Sequence, residues 1–216
     1  MSRVAPKRPL DEHRTAADVL EQYVKTMGSK PRGRQARGIV QRSPDQVTAR
    51  MHFFRAKQFA SDKDTAKQIE HLSRALEHDA TEADVLIALY GVDQPQDERD
   101  KVRAKIRKTA ALFKQKLITS PDDATAMNQY AWLVGNTEGD YDEAIRLSQR
   151  SVELAGEEQT GGYLDTLAHC YAAKKEYGTA LKHQARAMEL EPHSGEIRRA
   201  FERFKRLRDE QKGGTQ

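Results

Sequence analysis

The sequence writes nearly the same phrase twice: GDYDEAIRLSQRSVEL at residues 139–154 and KKEYGTALKHQARAMELEP at 174–192. With Tyr141 laid on Tyr177, Ala144 falls on Ala180, Ser151 on Ala187 and Glu153-Leu154 on Glu189-Leu190, an offset of 36 residues each time. A fixed period of roughly 20–50 residues signals stacked repeats. A unit that short is one supersecondary element. It cannot bury its apolar face alone, so it must stack on its neighbours, and the same side chains are needed at the same places in every unit.

The elements are helices. Apolar residues recur at helical spacing, and short alternating β-branched runs bounded by turn residues are absent. The spacing predicts helices over Asp11–Met27, Gln46–Ala60, Thr65–His78, Glu82–Tyr90 and about 96–119. Further helices are predicted at about 124–136, 141–155, 161–173, 177–190 and 194–212, with a short weak one in 32–42. Short breaks between helices of this length make successive helices antiparallel. A charged fraction of 32% against 37% hydrophobic and 6% aromatic residues is lean for a compact α/β enzyme. It is ordinary for a thin helical stack, in which much of each helix faces water.

These residues resemble the tetratricopeptide repeat, a 34-residue helix-turn-helix. In 161–194 the matching residues are Leu167, Ala168, Tyr171, Tyr177, Ala180, Ala187 and Pro192; in 125–158 they are Tyr141, Ala144 and Leu154. A weaker unit spans 49–82, with Ala56, Phe59, Leu72, Ala75 and Ala80, and 83–120 reads as a degenerate pair. Trp132, Ser151 and Gly156 depart from the pattern, and two extra residues near 157–161 stretch the period. The phrases NQYAWL and YLDTLAHCYAA resemble those of bacterial repeat proteins of this kind. The resemblance implies an all-α, right-handed solenoid of stacked antiparallel helix pairs. Residues 1–43 then form a basic N-terminal region, 44–194 the repeats, and 195–216 a capping helix and tail. RRAFERFKRLR at 198–208 suits the cap, because terminal repeats must cover the last exposed stripe.

Sites of chemistry are sparse. No HExxH, paired CxxC or glycine-rich phosphate loop occurs. His71 and His78 share one helical face but have no third ligand nearby in sequence, so no metal is expected. Cys170 neighbours His169 directly, which does not let the two converge as nucleophile and base. The repeat pattern leaves Cys170 among small residues packing between helices. Trp132 reads as core, as does Phe54, with Phe53 turned toward a groove. Neither a catalytic set nor a cofactor is expected.

One cysteine excludes an intrachain disulfide, and neither a secretory signal nor a membrane span is legible, so the expected location is the cytoplasm. Residues 1–60 hold 13 Lys/Arg against 5 Asp/Glu, while the remainder is mildly acidic. The function expected is a non-enzymatic scaffold that binds a protein or peptide in a concave groove. By the resemblance, groove residues are Arg50, Phe53 and Lys57 in the weak unit, Gln129, Leu133 and Asn136 in the next, and Asp165 and His169 in the last. The alternative is binding of RNA or an anionic surface through the basic N-terminal region, where Lys30, Arg32, Arg34 and Arg37 cluster. That stretch lacks the aromatic residues on which bases stack.

Overall fold

The computed structural model describes residues 9–27, 43–156 and 160–213, and over these the chain is helical with no strand. The helices are α1 (Pro9–Met27), α2 (Pro44–Ser61), α3 (Thr65–His78), α4 (Ala83–Tyr90), α5 (Gln96–Thr119), α6 (Ala124–Gly135), α7 (Tyr141–Leu154), α8 (Thr160–Ala173), α9 (Tyr177–Leu190) and α10 (Gly195–Gly213). The weak helix expected in 32–42 lies outside the described residues. No described helix is long and apolar enough to cross a membrane.

Short polar side chains set the helix starts. Ser43 closes a capping box with Gln46: its Oγ accepts from Gln46 N at 3.2 Å, and its own N–H donates to Gln46 Oε1 at 3.0 Å. Asp64, Asp123 and Asp140 accept from Lys67 N, Ala126 N and Glu143 N, which satisfies donors that each first turn leaves open. Two helix ends share another device. Lys63 and Lys175 adopt left-handed backbone, at φ 59° and 63°. In each case the next N–H reaches back past the turn, Asp64 N to Phe59 O and Glu176 N to Tyr171 O. These are Schellman endings, which normally favour glycine where the lysines stand.

The chain forms two compact units, residues 1–99 and 100–216, with the boundary inside α5. In the first, α2 packs against both α1 and α3, and α3 touches α4. Arg55 pins α1 to α2 by donating from Nη2 to Asp18 at 2.6 Å and Glu21 at 2.8 Å. In the second, α6/α7 and α8/α9 are antiparallel pairs, α8 rests on both helices of the preceding pair, and α10 lies on α9. The repeated residues do what the period requires of them. Ala144, Ala180, Ser151 and Ala187 are fully buried. Tyr141 covers the turn before it, its hydroxyl donating to Thr137 O at 3.1 Å. α10 covers the last pair: Phe204 and Ala200 pack with Ala168, Ala180 and Leu181, while Ile197 packs with Leu164 and Ala187.

Ala180→Leu should destabilise the second unit by roughly 1–3 kcal/mol, since overpacking a close helix contact forces backbone shifts. Thr179→Leu, at the part-exposed neighbour, should change little. Equal melting temperatures for the two would refute this register. Lys175→Gly should stabilise by about 0.5–1 kcal/mol by relieving the left-handed backbone. The same change at exposed Lys182, inside α9, should cost about 1 kcal/mol. Chemical denaturation reads both.

Candidate functional site

In the first unit, Arg50, Phe53 and Lys57 do come together, but as a packed joint. Arg50 Nη1 lies 2.6 Å from Asp84 Oδ2 and 3.4 Å from Glu82 Oε1, tying α2 to the start of α4. Its guanidinium sits 5.0 Å from the Phe53 ring centroid and 5.3 Å from that of Phe54, and the Lys57 ammonium is 5.5 Å from the Phe53 ring. Phe53 is 7% exposed, so the expected order is reversed: Phe53 is core and Phe54 is the half-exposed ring. The buried stripe of α2 follows Ala49, Phe53 and Ala56, whose small alanines mark the face lying against neighbouring helices.

The second unit places its functional-looking groups on the first helices of successive pairs, α6 and α8, and on α10. Leu133 at 0% and His169 at 8% exposure are buried, which removes both from any groove lining. α10 covers His169: its ring stands between Trp132 at 4.9 Å and Phe204 at 5.1 Å, the latter edge-on. Trp132 itself is only half-buried, where the sequence suggested core. Asn136 Nδ2 donates to Trp132 O at 2.9 Å, which leaves Asn136 Oδ1 to accept from His169 Nδ1–H at 2.6 Å. Burial and then the Arg203 guanidinium, 3.4 Å from the same ring nitrogen, push His169 down to about 3, so the ring is neutral at physiological pH.

Beside these rings, Asp165 is half-buried and accepts from Gln184 Nε2 at 2.5 Å. The same Nε2 donates to Ile197 O at 3.0 Å, which fixes the start of α10. Burial, reinforced by Glu196 and Glu191, raises Asp165 to about 6, with Gln184 and Arg203 opposing. Gln129 is half-exposed on α6. The assembled surface therefore offers Gln129, Trp132, Asp165 and Arg203 around a part-buried Asn136–His169 hydrogen bond. Sequence reasoning assigned Asn136 to the groove of one unit and Asp165 and His169 to that of the next, took Phe204 only as part of the terminal helix, and missed Arg203 and Gln184. Their positions depend on how α9 and α10 dock, which no motif encodes.

Other chemistry is not assembled. Cys170 Sγ donates to Ala131 O at 3.3 Å, and burial pushes the thiol up to about 12, leaving it protonated and unreactive. Among the described residues no group of three or more His, Cys, Asp or Glu is placed to hold a metal ion. The basic cluster at residues 30–37 lies outside the described residues.

These helix pairs define an all-α fold of the tetratricopeptide-repeat type. Neither a family model nor a curated protein matches the chain. Among solved structures it is similar to a thermophilic tetratricopeptide-repeat protein from Thermus thermophilus. The two share 14% identity and a TM-score of 0.53 over 90% of this chain and 91% of that one. Identity this low speaks for the fold alone.

The raised Asp165 carries a sign. Its folded-state value lies above its ordinary 3.8, so the folded protein holds this proton more tightly than the unfolded chain. Its ionisation opposes folding as pH rises from about 4 through 6. Asp165→Asn keeps an acceptor for Gln184. It should stabilise the protein by roughly 1–2 kcal/mol near pH 7.5 and by nothing near pH 4. Denaturant midpoints at the two pH values test this.

Proposed function

We propose that this chain is a non-enzymatic scaffold that binds a peptide segment of another protein across α6, α8 and α10. The observation that carries the reading is the ring ladder Trp132–His169–Phe204, which links three helices side by side and leaves Trp132 partly exposed at its edge. A half-exposed tryptophan flanked by fixed polar groups is the kind of anchor on which binding energy concentrates. Gln129 can exchange hydrogen bonds with a peptide backbone, and Asp165 and Arg203 offer one charge of each sign to its side chains. Among the described residues the site holds no nucleophile with an adjacent base, which supports binding over catalysis.

The rival reading, RNA or an anionic surface held by Arg32, Arg34 and Arg37, is separable by mutation. Partners would be isolated with the full chain and identified by mass spectrometry, and binding of the identified segment then titrated. Trp132→Ala should weaken it roughly thirtyfold, the loss of a hot spot worth about 2 kcal/mol. Reversing the three arginine charges should leave it unchanged. Binding that survives Trp132→Ala and is lost on charge reversal would move the function to the basic region.

A further inference from the structure

The first unit holds a histidine cluster that neither the repeat architecture nor the proposed groove uses. His71 and His78 stand two turns apart on α3, and α2 sets His52 between them. His52 Nδ1 lies 2.9 Å from His71 Nδ1, with ring centroids 5.2 Å apart. His52 also stacks against His78 at 6.0 Å, and Phe59 covers His71 at 5.2 Å. His78 does not share the contact, because its Nδ1 sits 3.2 Å from Asp45 Oδ1. The three rings therefore do not converge on one point, and the ligand this geometry suits is a proton.

A nitrogen–nitrogen distance of 2.9 Å is a hydrogen bond, with one Nδ1 carrying the proton and the other supplying the lone pair. It survives while at least one ring is neutral. Once both rings are protonated, both Nδ1 atoms are donors, and two cations face each other across the helix pair. We propose that His52 and His71 form an acid-sensitive latch that holds α2 to α3 at neutral pH and releases it on acidification.

The surrounding charges favour the closed state at neutral pH. On α2 and α3, Arg55 and Arg74 oppose further positive charge. On α1, Glu21 favours it but is engaged by Lys25 and Arg55; on α3, Glu70 favours it but is paired with Arg74 at 2.6 Å. Burial, then His71, His78 and Arg74, hold His52 down to about 4, with Glu21 opposing. Burial, then Arg74, lowers His71, with Arg55 adding and Glu70 opposing. The folded values lie below the ordinary 6.5, so the latch's contribution is complete above about pH 6.5. It is lost as pH falls through about 4.

The test uses the full chain, with amide exchange corrected for its intrinsic pH dependence and assigned histidine rings titrated by NMR. Between about pH 7 and 4.5, protection in α2 and α3 should fall roughly tenfold or more, the signature of local opening. The double variant His52→Gln, His71→Gln keeps a donor and an acceptor at each site without titrating, and should lose that dependence. His193→Gln, at an exposed site in the turn before α10, should keep it. Protection that stays flat with pH in the wild type, or a dependence undiminished in the double variant, would overturn the latch. The ring titration decides independently of how the variant folds. The His52 and His71 rings should both titrate below the ordinary value, and both titrating near about 6.5 would also overturn it.

Discussion

The second unit depends on one close approach. Gly135, the last residue of α6, lies against the backbone of α8 at Cys170. A Cβ built on it would stand 2.9 Å from Cys170 Sγ, 3.1 Å from its N and 3.2 Å from its Cα. No side chain fits there without the helices moving apart. Cys170 in turn donates to Ala131 O, one turn earlier on α6. The residues next to this contact are Asn136 and His169, which is why their side chains meet at hydrogen-bond distance. The site's geometry is thus set by backbone approach, with the side chains carried along.

The same logic sets the remaining spacing. Ala144, Ser151, Ala180 and Ala187 are fully buried and small, so helix axes can come close and larger side chains interdigitate around them. Tyr130 adds a polar tie from α6 to its neighbours. Its hydroxyl donates to Glu143 on α7 at 2.8 Å, and Lys114 on α5 reaches the same carboxylate at 2.9 Å. The first unit likewise buries small and apolar residues, Ala49, Ala75, Leu72 and Leu86 among them, and adds polar ties. Arg55 and Arg50, each joined to two carboxylates, bind α1 and α4 to α2, and the histidine pair joins α2 to α3. Ion pairs and titrating rings respond to pH and salt, whereas apolar close packing does not.

What the sequence made legible depends on which contacts recur with the repeat. Helix positions and the sequence alignment of α7 with α9 could be read because the repeated residues are the small ones that fix interhelical distance, and they recur at a fixed offset. Groove lining could not be read the same way. Whether Leu133 or His169 faces water depends on what lies over it, and α10, outside the repeated phrase, decides that for His169. Phe53 was misplaced because the apolar face of α2 was drawn through Phe54, while Ala49 and Ala56 mark Phe53's face as the buried one. His52 was invisible beside His71 and His78 because it comes from another helix, 19 residues before His71 in the chain.

α10 has two roles that bear on each other. As a cap it buries Ile197, Ala200 and Phe204, the apolar stripe that would otherwise leave α8 and α9 exposed. As a wall it brings Phe204 and Arg203 to His169, and through Ile197 O it gives Gln184 the second acceptor that holds the amide beside Asp165. A helix added only to end a stack would need the stripe alone. Here the first helix beyond the clear repeats also supplies the third rung of the ring ladder and the cation of the surface beside it. Stability of the last pair and the arrangement around His169 therefore rest on the same docking contact. Anything that lifts α10 exposes the His169 ring, removes Arg203 and frees Gln184 from Ile197 in one step.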